Sequence, residues 1–164
     1  MQIELHDRLL DIPRDVLVRV VYQSRTDMDD HELEQVIATS RRNNAATGIT
    51  GVLVHSDGLL MQVLEGGADV VSALLTVIED DPRHCDFDLV RLDAVTERSF
   101  GDWSMNRIEL ESRRLIQILY AYINREPGAS QLLRDYAAGG GWKRLSALES
   151  KHPPLQGHTQ RAVQ

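Results

Sequence analysis

Apolar residues along this chain recur at two spacings, and each change of spacing marks the border of an element. Residues 17–24 (LVRVVYQS) alternate and are rich in β-branched side chains, which predicts a strand. Over residues 29–43 the spacing lengthens to that of a helix, with Leu33, Val36, Ile37 and Ser40 on one face and Asp29 and Glu32 spaced as a capping box. Residues 49–55 and 59–65 return to strand texture on either side of Ser56-Asp57-Gly58, where Asp-Gly predicts a hairpin. Gly66-Gly67 breaks the pattern, and residues 68–79 form a second amphipathic helix through Val70, Val71, Leu74, Val77 and Ile78. Residues 87–95 and 103–108 predict two further strands. The order βαββαββ points to an α+β sandwich of the ferredoxin-like kind, a five-stranded mixed sheet with two helices on one face.

Past residue 109 the texture turns helical. Leu115, Ile116, Leu119, Tyr122 and Ile123 make one helix that ends before Pro127-Gly128, and Leu132, Leu133 and Tyr136 make a shorter one. Gly139-Gly140-Gly141 reads as a joint, followed by a last turn or two at Trp142, Leu145 and Leu148. These helices are expected to pack on the free face of the sheet. The organisation predicted is an N-terminal extension of unassigned structure (1–16), a core domain (17–109), a C-terminal helical cap (110–149) and a flexible tail (150–164).

Several polar residues interrupt the apolar faces. Asn44 continues the stripe Leu33, Ile37, Ser40 at the end of the first helix and so points inward. Tyr22 alternates with Val18 and Val20, and Gln62 with Leu60 and Leu64, so both sit among core positions. Trp103 and Met105, two apart, are expected on one face of the last strand. A buried polar group without a partner costs about 1–3 kcal/mol, so a phenol and two amides converging on one slot call for a ligand. A flat heteroaromatic ring with donors and acceptors on its edge satisfies them. An isoalloxazine edge suits the set, because a carboxamide offers both a carbonyl and an NH2.

Composition narrows the classes. The chain has 164 residues, 42% hydrophobic content and a net charge of −7, with Lys+Arg at 18 against Asp+Glu at 25. This suits one domain with a proper core and argues against nucleic acid or an anionic membrane as the main partner. Cys85 is the single cysteine, read as a small, partly buried side chain in a reducing compartment. No run approaches the ~20 apolar residues of a membrane span, and the N-terminus lacks the features of a signal peptide, so a cytoplasmic protein is expected. The histidines His6, His31, His55, His152 and His158 stand at no metal-ligand spacing.

The segments VVYQS, RRNNAATGITGVLVHSDGLLMQVLEG, EDDPRH and RSFGDWSMN closely resemble the BLUF family, blue-light sensors that use FAD, over roughly residues 17 to 107. The resemblance implies that Tyr22, Gln62 and Asn44 match the family's photoactive tyrosine, its glutamine and its flavin-edge asparagine. It places Asn43 at a second flavin-contacting position, and Trp103 and Met105 at the pair that exchange places near the flavin. Leu60 departs from the usual phenylalanine, an apolar exchange that should leave the photochemistry intact. The implied mechanism passes an electron and a proton from Tyr22 through Gln62, rearranges the amide, and relays the change through the last strand to the C-terminal helices. Ser40, Arg42, Arg83 and His84 complete the expected cofactor contacts, with Arg41, Arg42 or Arg83 facing the diphosphate.

The segment after residue 109, about 55 residues, is too short for a cyclase or phosphodiesterase, so a separate partner protein or a change of homo-oligomeric assembly is the expected output. Two other classes compete. A small flavin reductase or acylphosphatase-type enzyme requires a nicotinamide site or a positioned catalytic group, and no Gly-x-Gly-x-x-Gly and no nucleophile with an adjacent base stands in the sequence. A flavin-free adaptor would leave Gln62 and Asn44 buried without ligand partners. Asn43-Asn44 could also serve as a helix C-cap. Tyr120, Tyr122, Tyr136 and Trp142 are assigned to packing or an interface.

Overall fold

The computed structural model describes residues 2–138. The chain runs α1 (Gln2–Leu10), β1 (Leu17–Thr26), α2 (Asp30–Thr47), β2 (Thr50–Ser56), β3 (Leu59–Gly67), α3 (Ala68–Glu79), β4 (His84–Ala94), β5 (Asn106–Glu109), α4 (Ser112–Ile123) and α5 (Ala129–Ala137). The strands form one sheet in the order β4-β1-β3-β2-β5, antiparallel throughout except for the parallel β2–β5 pair. This is the ferredoxin-like arrangement expected from the order of elements.

Alternation along the strands divides the core in two. Val18, Val20, Tyr22, Leu53, Leu60 and Leu64 face α2 and α3, meeting Leu33, Ile37, Val71 and Leu75. Val21, Val52, Val54, Met61 and Val63 face the other way, against Leu115, Ile118, Leu119 and Tyr122 of α4 and Leu132 and Leu133 of α5. The sheet is therefore covered on both sides, as the C-terminal pattern predicted.

Local chemistry accounts for the borders. The Asp29 side chain accepts from Glu32 N–H, and the Glu32 carboxylate accepts from Asp29 N–H, both at 2.9 Å, which completes the capping box. Asp57 and Gly58 both have positive φ, 42° and 82°, as a two-residue hairpin with primed geometry requires.

Several boundaries differ from expectation. The N-terminal extension contains α1, whose Leu9 is buried beside α3 and β4. Helix α2 runs to Thr47 and ends at Gly48 in the left-handed conformation, so Asn43 and Asn44 are helix interior and not a cap. Strand β3 carries on through Gly66 to Gly67, β4 starts earlier at His84, and β5 is shorter, starting at Asn106. Val77, Ile116 and Ile123, expected on the apolar stripes, are exposed, because Val71 and Leu75 on α3 and Leu115, Ile118 and Leu119 on α4 take the buried positions. Cys85 is exposed rather than partly buried. The joint at 139–141, the turn at Trp142, Leu145 and Leu148, the tail, His152 and His158 lie outside the described residues.

At Gly51 in β2, an added Cβ would lie 2.0 Å from the carbonyl oxygen of Val63 across the β2–β3 pair. Because that neighbour is backbone, Gly51→Ala is expected to destabilise the protein by about 3 kcal/mol, the upper end for overpacking. Urea unfolding measures it, and a change below about 0.5 kcal/mol, the range of an ordinary surface substitution, would contradict the close approach.

Candidate functional site

In the antiparallel β1–β3 register Tyr22 stands directly opposite Gln62. Both point to the α2–α3 side, and the Tyr22 phenol donates a hydrogen bond to the Gln62 amide oxygen. Tyr22 also stacks at a tilt on Phe87 of β4, with centroids 4.8 Å apart. Beside it the β1–β4 register slips between Val21 and Tyr22, where Val21 pairs with Arg91 but Tyr22 with Leu89. A bulge of this kind bends the strand and re-aims side chains next to sites. Burial is the main cause that pushes the Tyr22 phenol well above its ordinary pKa, and the nearby Asp81 carboxylate adds to it. The phenol therefore stays protonated and keeps donating.

The other end of the Gln62 amide donates to the Met105 sulfur at 3.2 Å. Asn44, 2% exposed, donates through Nδ2 to the Ser104 carbonyl at 2.9 Å, which leaves its own carbonyl oxygen to accept. Arg41 donates to the Met105 carbonyl at 2.8 Å. Two buried amides and one guanidinium thus grip the backbone and side chains just before β5.

In front of these groups, between α2 and α3, opens a narrow cleft of about 70 Å³. Tyr22, Ser40, Asn44, Gln62, Arg83 and His84 line it with the apolar Val36, Leu53, Leu60, Leu74 and Ile78. The cleft is smaller than the roughly 300–1,000 Å³ of small-molecule pockets, so α2 and α3 must part for a ligand of that size to enter. His84 bonds through Nε2 to the Ile78 carbonyl, while its Nδ1 is buried and has no protein partner. An apolar slot ending in carboxamides, with an orphaned imidazole nitrogen at its wall, fits a planar ring with a polar edge. Arg83 pairs with Asp81 at 2.5 Å at the mouth, and the hydrogen bonds from Arg83 hold the Asp81 carboxyl below its usual range.

Three expected contacts, Arg42, Asn43 and Met105, do not line this cleft. Arg42 and Asn43 are exposed on α2 and are not among its lining residues. Trp103 and Met105 precede β5 and part to opposite sides of the sheet, because the segment there is not extended and the two-residue rule fails. Met105 is fully buried on the Gln62 side. Trp103 packs on Phe100 at 5.4 Å on the α4–α5 side, with the Arg134 guanidinium 4.7 Å from its ring. His55, read as incidental, meets Glu109 at 2.9 Å. One charged residue escaped the sequence reading altogether. Glu65 is completely buried and accepts from Arg19, Ser99 N–H and Phe100 N–H. Its signal is an acidic residue on a strand otherwise apolar from Leu59 to Leu64 save for Gln62.

Residues 17–106 match the family described as BLUF, sensors of blue-light using FAD. The chain belongs to the BLUF family. Photoactivated adenylate cyclase subunit beta of Euglena gracilis is 36% identical over 86 residues, which is 52% of this chain and 10% of that protein. The blue light- and temperature-regulated antirepressor BluF of Escherichia coli is 26% identical over 122 residues, 73% of this chain and 30% of that protein. The chain thus corresponds to about a tenth of the length of the cyclase subunit and under a third of the antirepressor. Among solved structures, BlrB, a BLUF protein in its dark state, superposes with a TM-score of 0.62 at 29% identity, covering 77% of this chain and 99% of that one. Among the described residues no helix is long and apolar enough to cross a membrane, and no group of side chains could hold a metal ion.

The raised phenol of this BLUF site has a consequence for stability. Unfolded tyrosine ionises near pH 10, whereas folded Tyr22, like the buried Tyr122, ionises only above that. The contribution is full below pH about 10 and is lost as pH rises past it. Tyr22→Phe is expected to lose stability less steeply than wild type between pH 9 and about 11 in urea titrations. Equal slopes would show that the phenol is not protected by burial.

Proposed function

We propose that this BLUF protein is a blue-light photoreceptor that binds FAD in the α2–α3 cleft and signals by rearranging the Gln62 amide. The observation that carries this reading is the buried chain from Tyr22 through Gln62 to Met105 at the inner end of the α2–α3 cleft. A bound oxidised flavin supplies blue-light absorption and, once excited, a strong demand for an electron. Asn44 holds the ring edge through its amide. His84 and Ser40 flank the ring, and Arg83 serves the ribityl and diphosphate end.

Tyr22 is the donor in this reading. Its phenol oxygen already hydrogen bonds to the Gln62 carbonyl, so its proton has one short route, onto that amide oxygen. With the electron on the ring and that proton on its oxygen, the amide is a cation that can turn. If the electron then returns to Tyr22 with a proton from the amide nitrogen, Gln62 would be left as the neutral imidic tautomer, with donor and acceptor ends that differ from the starting ones and a changed bond to Met105. No side chain is consumed and no product leaves. The change reaches residues 103–105 and then α4 and α5, taken as a helical cap (110–149) on the flavin-binding domain (17–109). The output is a separate signalling protein or a change of homo-oligomeric assembly.

The test is an absorption spectrum of the FAD-loaded protein before and after blue light. The oxidised-flavin band is expected to move slightly to the red and to return in the dark. Tyr22→Phe and Gln62→Leu are expected to bind FAD and to lose the shift. A protein that takes up no flavin, one that only bleaches, or a variant that photocycles normally would overturn the reading.

A further inference from the structure

Glu65 lies three residues beyond Gln62 on β3 and points to the opposite face of the sheet, where its carboxylate is 0% exposed. Oε1 accepts from Phe100 N–H at 2.7 Å, and Oε2 accepts from Ser99 N–H at 2.9 Å and from Arg19 Nε at 2.8 Å. Arg19 also donates to the Ser99 hydroxyl at 2.8 Å. A buried carboxylate costs several kcal/mol of desolvation and persists only where such donors meet it. Here the donors are backbone amides of the segment that carries Ser104 to Asn44 and Met105 to Gln62.

One strand therefore grips both ends of this segment, Gln62 at its far end and Glu65 at its near end. Between the grips, Phe100 is fully buried, Trp103 leans on it, and Arg134 of α5 lies over Trp103 while donating to the Ser99 carbonyl at 3.0 Å and to Asp102 at 2.8 Å. A tethered segment displaced at one end pivots, whereas an untethered one drifts and transmits little.

We infer that Glu65 is a positioning residue of the light response, the fixed pivot that turns a change at Gln62 into a movement felt by α5 through Trp103 and Arg134. This rests on the photoreceptor reading above. It assigns a coupling role to a residue that touches neither the cleft nor the Tyr22–Gln62 pair.

The experiment uses the FAD-loaded full chain and two variants, Glu65→Gln and Glu65→Asp, the second keeping the charge but withdrawing it from both backbone amides in case the first does not fold. Each is followed by the flavin red shift and by light-minus-dark hydrogen exchange in α5. Wild type is expected to show both signals. The variants are expected to keep the red shift while the α5 difference falls to about a tenth of the wild-type value, the factor given by ~1.4 kcal/mol of lost coupling. An undiminished α5 response in either variant would overturn the inference. So would loss of the red shift in both, which would place Glu65 in the photochemistry itself, or a wild type that shifts without any α5 response. A wild type with no shift would instead refute the photoreceptor reading.

Discussion

The antiparallel pairing of β1 with β3 sets Tyr22 directly across from Gln62, and the hydrogen bond between them is the contact around which the site is arranged. The strand register fixes it, so it holds without any loop having to order. Burial makes it durable by keeping the phenol neutral, and the carbonyl of Gln62 is thereby committed to Tyr22. The amide nitrogen is committed the other way, to a thioether, which is a weak acceptor. A strong bond on one side and a weak one on the other leave the amide a second arrangement within reach, which suits a switch better than a rigid scaffold does.

The rest of the fold serves this asymmetry. Helices α2 and α3 leave a slot rather than closing on the sheet, because Ser40 and Asn44 stand where an apolar stripe would otherwise continue. On the reverse face α4 and α5 bury the other half of each strand. The segment before β5 reaches both faces, with Met105 on the cleft side and Trp103 under Arg134. In the proposed reading, this segment carries a change at Gln62 to the far side of a sheet too well packed to deform by itself.

Periodicity alone revealed most of this architecture. Alternation placed Tyr22 and Gln62 inward, and helical spacing brought Asn44 to the same side, because all three lie in regular elements where side-chain direction follows from position. The same logic failed at Trp103 and Met105, since a rule for extended backbone was applied to a segment that turns. It stopped α2 too early at Asn43, although Gly48 marks the end. The β4 bulge beside Tyr22 left no trace in composition, and Arg42 and Asn43 could be placed beside a ligand only by resemblance. Glu65 was passed over as part of a motif, because a charge on an apolar strand explains itself only when its partners, distant in sequence, are brought to it.

In the proposed photocycle, light changes the hydrogen bonding between Gln62 and the ring edge while the flavin stays oxidised. A light-minus-dark infrared difference spectrum of the FAD-loaded protein tests it most directly, with the ring carbonyl nearest Gln62 as the reporter. This carbonyl band is expected to move to lower frequency under blue light, as a stronger hydrogen bond requires, and to recover together with the visible spectrum. A carbonyl band that stays in place while the visible band shifts would contradict this photocycle.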